Sequence, residues 1–177
     1  MVSSDSLIDR SNVLIETGQF VTLATHSPEN AWASTVNFVP LRGPLRFLWY
    51  SQRHVRHSRN IDVAPEIAGS IFRTDAANEL GLDGAQFTGI ARAIEEAAEL
   101  AEYADFYYTR NFPDEQVREQ WRRPLSEFHG EGHRRFYEVT VNGWWLLDVG
   151  HWLATMNDQR IDVDLAALQQ APKEPVR

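Results

Sequence analysis

Residues Phe47 to Ile61 read FLWYSQRHVRHSRNI. An apolar run of strand formers, Phe47-Leu48-Trp49-Tyr50, ends at a hydroxyl, Ser51. Arg53, His54, Arg56, His57 and Arg59 follow on a segment that predicts a short helix. A strand that delivers a hydroxyl, free helix-start amides and several cations to one point suits a phosphate. The unpaired N–H groups of the first helical turn favour an anion, and a guanidinium can bind phosphate oxygens in pairs. A solvated basic helix face pairing with Asp62 and Glu66 is the plainer alternative.

Outward from this stretch the apolar period decides the elements. Towards the N-terminus, Leu7, Ile8, Leu14 and Ile15 recur at helical spacing between Asp5 and Thr17, and Gly18 is a natural stop. Gln19 to Thr25 then changes to β-formers, and Ser27-Pro28-Glu29-Asn30 predicts a turn. Ala31 to Pro40 predicts a second strand, with Trp32, Ser34, Val36 and Phe38 on one face. Arg42-Gly43-Pro44 turns the chain into the strand Leu45 to Tyr50, so three strands form an antiparallel meander.

Beyond the basic segment, Glu66 to Phe72 predicts a fourth strand and Arg73 to Gly84 a polar loop. Ala85 to Ile94 alternates, and Gly89 in its middle predicts a bulge or a close backbone approach. Glu95 to Asn111 places Leu100, Tyr103, Ala104 and Tyr107 at helical spacing, and another short helix follows Pro113 up to Trp121. Phe136 to Val141 and Gly143 to Val149 predict two closing strands. This order gives a mainly β chain with flanking helices (α+β), an antiparallel split β-barrel of about six or seven strands. Residues 1–170 are expected to form one domain, and residues 171–177 a frayed tail.

Composition narrows the function. The net charge of −8 and pI near 5.2 argue against a nucleic-acid or anionic-membrane partner, which rewards a broad basic surface. There is no cysteine, so disulfides, thiolate metal sites and cysteine nucleophiles are excluded. No apolar stretch approaches membrane-spanning length, and a cytoplasmic location is expected. Glycine-rich nucleotide fingerprints, Gly-x-Ser-x-Gly elbows and HExxH motifs are absent. His129 and His133 stand four apart, but Gly130 and Gly132 make a helix there implausible, so no metal site is expected.

Four segments taken together resemble the pyridoxamine 5'-phosphate oxidase-like FMN-binding split barrels, and especially small bacterial members. They are ASTVNFVP (Ala33 to Pro40), LRFLWYSQRHVRHSRNI (Leu45 to Ile61), AQFTGIARAIEE (Ala85 to Glu96) and RFYEVTVNGWWLLD (Arg135 to Asp148). The resemblance implies an FMN-dependent oxidoreductase working as a homodimer, with the ligand site at the interface. A non-catalytic protein that stores or senses a flavin, deazaflavin or haem is the alternative. By position it assigns the phosphate to Ser51, Arg56 and His57, and the ring to Val36, Asn37 and Phe38, with Tyr50 alongside. Gln86 would face the ligand across the barrel, and Trp144 or Trp152 would cross the dimer seam to wall the ring. His57 stands where many members have Lys, so its charge depends on pH. Residues that would grip a vitamin B6 substrate have no match, and no side chain is assigned as a catalytic acid or base.

Overall fold

The computed structural model describes residues 4–170; the tail expected from Ala171 onward lies outside the described residues. The chain opens with α1 (Ser4–Thr17), closed by Gly18 donating to the Leu14 carbonyl at 3.0 Å. Leu14 and Ile15 on its inner side are buried in the core. Then come β1 (Phe20–His26), β2 (Ala31–Asn37), β3 (Val39–Leu41) and β4 (Arg46–Gln52). The basic segment is α2 (Arg56–Val63), followed by β5 (Glu66–Arg73) and β6 (Asp83–Ala93). The helical excursion is α3 (Ala97–Asn111) and α4 (Glu115–Trp121), and β7 (Arg134–Leu147) returns through the sheet. The described chain ends with α5 (Val149–Thr155), β8 (Arg160–Asp162) and α6 (Leu165–Gln170).

All pairings are antiparallel, in an eight-stranded sheet ordered β2-β1-β5-β6-β7-β4-β3, with β8 on β7. The two ends of this path, β2 and β3, are separated in the chain only by Phe38. A sheet whose opposite edges are consecutive residues has to curl round on itself. The expected split barrel follows from this. Two short strands were not expected: β3 is the end of the predicted second strand, cut off at Phe38, and β8 pairs with β7.

One face of the sheet packs inward. Val21 and Leu23 of β1, Phe47 and Trp49 of β4, Phe87 of β6 and Trp144 of β7 share one buried cluster with α1. Phe47 meets Phe38 and Phe87 edge-on at 4.9 and 5.1 Å, an arrangement worth about 0.5–1.5 kcal/mol per pair beyond area burial. The other face of β4 and β7 is covered too. Leu48 and Phe136 bury against Tyr103, Tyr107 and Tyr108 of α3. That double covering explains why Phe47-Leu48-Trp49 is continuously apolar instead of alternating.

Two glycines mark close approaches. The β6–β7 register shifts between Thr88 and Gly89, as a bulge there requires, and a Cβ on Gly89 would strike the Thr140 carbonyl oxygen. Gly143, expected to open the second of two closing strands, instead lies within the single strand β7 beneath the Trp145 ring. A glycine lets that ring lie flat over the strand, so β7 is continuous. Among the described residues no helix is long and apolar enough to cross a membrane.

Candidate functional site

β4 carries Ser51 on the same inner face as Trp49, and the chain then turns, with Val55 N–H reaching the Gln52 carbonyl at 3.4 Å. Val55 precedes α2 in an extended conformation and offers no side-chain cap, and the first turn holds no acidic residue. The amino end of α2 therefore keeps its anion preference free of internal competition. Ser58 anchors the turn by donating to the Gln52 carbonyl at 2.9 Å, and Asn60 donates to Thr25 Oγ1 at 3.0 Å. These two bonds fix the rotation of α2 and send His57 inward.

His57 bridges two strands that are not paired with each other. Its Nε2 lies 2.8 Å from Ser51 Oγ on β4, and its Nδ1 lies 3.1 Å from Ser34 Oγ on β2. The ring is buried, and burial lowers its pKa below the ordinary histidine value. A neutral imidazole has one donor and one acceptor nitrogen, and the two hydroxyls can serve either. Arg56, the neighbouring residue, lies over the Trp32 ring at 4.7 Å. Ser34 and Trp32 share the inner face of β2, so this face, α2 and the end of β4 form one cradle of two hydroxyls, an imidazole and a guanidinium.

The other expected residues fall elsewhere. Val36 packs against the inner core and Phe38 is within it. Asn37 Nδ2 donates to the Gln19 carbonyl at 3.0 Å, and the Tyr107 hydroxyl donates to Asn37 Oδ1 at 2.8 Å. Its partners are thus a backbone carbonyl and an α3 side chain. Tyr50 is on the outer face of β4, edge-on to Tyr107 at 5.3 Å. Asn37, Phe38 and Tyr50 line a cavity of 630 Å³ under α3. Gln86 is exposed on the outer face of β6 and accepts from Arg160 Nε at 3.0 Å. Trp144 is fully buried in the chain's own core, donating from Nε1 to Ser11 Oγ at 3.0 Å, which removes it as a seam-crossing wall. Trp152 is half-buried on α5. The structure thus groups Ser51, Arg56 and His57 in the cradle and Asn37, Phe38 and Tyr50 at the cavity, and leaves Gln86, Trp144 and Trp152 apart.

Two participants escaped the sequence reading. Ser34 looked like one more strand residue, and its signal was the shared face with Trp32 and Val36. Arg135 pairs in register with Ser51 and is buried, donating to the carbonyls of Gly130, Gly132 and Arg134 at 2.5, 2.8 and 2.6 Å. Burial, and then the nearby Arg53 charge, lower its pKa. Arg53 also donates to the Gly130 carbonyl, at 3.3 Å, so two cations meet at one oxygen next to the cradle.

No family model matches the chain, and no curated protein matches it significantly. Solved structures of low identity share its fold. A haem-binding protein from Mycobacterium smegmatis superposes with a TM-score of 0.66 at 15% identity, over 96% of this chain and 61% of that protein's length. A putative pyridoxamine 5'-phosphate oxidase from Listeria innocua gives 0.55 at 13% identity, over 79% and 97% of the two chains. A FAD-binding protein from Mesorhizobium loti gives 0.58 at 9% identity, over 77% and 90%. The resemblance read from the sequence holds at the level of the fold alone: the chain shares the curled antiparallel architecture of these neighbours.

Proposed function

We propose that this split barrel binds FMN and works as a flavin-dependent oxidoreductase, with the phosphate held where β2, β4 and α2 meet. The observation that carries the reading is the Ser34–His57–Ser51 bridge, set beside the uncapped start of α2 and the Arg56 guanidinium. The donor set fits a phosphate. Two hydroxyls and a helix start supply neutral donors, Arg56 supplies a fixed charge, and His57 can take up a proton. Val36 and Asn37 follow Ser34 along β2 and Phe38 comes directly after it, and the ring is assigned to this segment. When bound, a flavin supplies the electron and hydride chemistry, and the chain's residues bind it, orient it and keep water away.

The fold neighbours include a haem-binding protein, which favours haem storage as the second reading. His54, exposed in the turn before α2, is an imidazole available to an iron. A Soret band on adding haem, with no retention of FMN, would move the assignment there.

The site is proposed to be completed by a second copy of the chain. Phe20, Phe72 and Ile90 are 58%, 63% and 44% exposed on the outer faces of three adjacent strands, β1, β5 and β6. Thr22, Ala68 and Ser70 between them are small enough for a second sheet to approach.

Arg56 contacts Trp32 at the surface, so its loss should leave the fold intact. Arg56→Ala is expected to weaken FMN binding by about 1.5–3 kcal/mol, the range for a hydrogen bond to a charged group. Quenching of flavin fluorescence on titration gives the dissociation constant, and an unchanged value would remove the phosphate assignment.

His57 gives a pH dependence with a definite sign. In the free protein burial lowers its pKa. A phosphate beside it favours the imidazolium and raises the pKa, so binding takes up a proton. The added affinity is present below the pKa of the complex and fades as pH rises through it. FMN affinity should therefore fall with rising pH in the wild type relative to His57→Lys, a comparison that cancels titration of the ligand's own phosphate. Parallel profiles for the two proteins would contradict it.

A further inference from the structure

The cavity of 630 Å³ between α3, α4 and the β2–β3 edge has a size suited to a small molecule and walls the cradle does not explain. At its outer end Phe112 and Trp121 stack in parallel, their planes 3° apart and centroids 5.9 Å apart. Trp121 is 53% exposed, so the stack ends in an open aromatic face. A protein gains little stability from leaving an indole there, whereas a flat ligand could extend the stack.

The polar groups around this space are mostly spoken for. Asn37 is satisfied through both of its amide atoms by Gln19 and Tyr107. Burial raises the Tyr107 pKa, so its hydroxyl stays protonated as the donor in that pair. Glu16 and Arg110, the two charged residues lining the cavity, pair at 2.6 Å, and Arg42, behind the lining, also donates to Glu16 at 2.9 Å, so the three groups together carry one positive charge in excess. Asn111, at the end of α3, is the exception. It lines the cavity, and its Nδ2 is buried without a hydrogen-bond partner. A buried N–H donor left unpaired costs about 1–3 kcal/mol, which an acceptor in the cavity would recover.

We propose that this cavity is a second binding site, taking a planar fused-ring compound that carries a ring carbonyl and is neutral or singly anionic. The ring extends the Phe112–Trp121 stack, the carbonyl accepts from Asn111 Nδ2, and the excess charge at Arg42 and Arg110 tolerates an acidic substituent. Asn37 and Tyr50 lie at the inner end of the same cavity, so the compound would sit next to the residues assigned to the flavin ring. The site itself does not depend on the phosphate cradle.

Anthraquinone-2-sulfonate has the required shape, carbonyls and charge, and the chain has no thiol to react with it. Isothermal titration of the full chain with this probe is expected to show one saturable site. Asn111→Leu and Trp121→Ala should each weaken it at least about fivefold, the worth of a neutral hydrogen bond or a ring stack, and Arg56→Ala should leave it unchanged. Absence of binding up to about 1 mM, an affinity too weak for a built site, would overturn the proposal. So would wild-type affinity in both cavity variants. Loss in Arg56→Ala matching that in Trp121→Ala would also overturn it, because the cavity would then be part of the cradle. An FMN affinity lost in Arg56→Ala but kept in Trp121→Ala would test the phosphate reading separately.

Discussion

Glu138→Ala is expected to lower the unfolding free energy by about 3 kcal/mol, the lower part of the range for breaking a buried ion pair from one side. Glu138 is 3% exposed on the outer face of β7, between Arg46 and Arg92 at 2.9 and 2.7 Å. Arg92 also reaches Glu99 in the first turn of α3 at 2.9 Å, and Arg46 contacts the Tyr103 hydroxyl. Removing the carboxylate leaves two cations facing each other across one strand. Arg46 is mostly enclosed, whereas Arg92 is half exposed and can turn to water, which is why the lower part of the range applies. The same change loosens the start of α3, the helix that carries Tyr107 and Asn111 over the cavity. Urea unfolding of Glu138→Ala and Glu138→Gln checks it. The alanine variant should be the less stable, and a loss under about 1 kcal/mol would mean the network is worth no more than a surface pair.

Trp144→Ala should cost about 3–5 kcal/mol, the usual penalty for emptying a large aromatic site in a closed core. The indole is fully buried, stacked on Phe87 at 6.3 Å and edge-on to Phe47 at 6.1 Å. Its N–H to Ser11 ties β7 to α1 across the barrel end. Trp144→Phe keeps most of the packing and loses the tie, so it should cost only about 1 kcal/mol, one net hydrogen bond. Ser11 would retain its own bond to the Leu7 carbonyl, at 2.8 Å. Denaturant midpoints for the two variants separate packing from the hydrogen bond. A small, equal loss in both would place Trp144 at a surface, as the seam reading of the sequence had it.

That seam reading shows where sequence patterns stop. Gly143-Trp144-Trp145 has alternation enough to mark a strand, but two adjacent tryptophans cannot say which faces the core. The answer depends on the register shift at Gly89, which settles which side of β7 turns inward. The predicted three-strand meander holds only in pieces, because β2 pairs with β1 while β4 pairs with the short β3 and with β7, never with β2. The bulge and α1 to α3 were legible because each rests on a local period or a local breaker. The break at Phe38 was not, since it comes from closing the sheet between two edges far apart in pairing order. The short elements after β7 were missed, although Asp148, whose side chain accepts from His151 N–H at 3.0 Å, is an ordinary helix-start signal. At the site, the hydroxyl and cations of Ser51, Arg56 and His57 announced themselves by density in an acidic chain. Ser34 could not, because its role exists only once β2 and β4 are brought to either side of the His57 ring.

The most direct test of the flavin reading is the visible absorption spectrum of the purified protein after FMN is added and unbound ligand is removed by desalting. The account predicts that flavin bands stay with the protein and are lost from Arg56→Ala under the same treatment. A protein that emerges colourless, or that holds haem and no flavin, would contradict it.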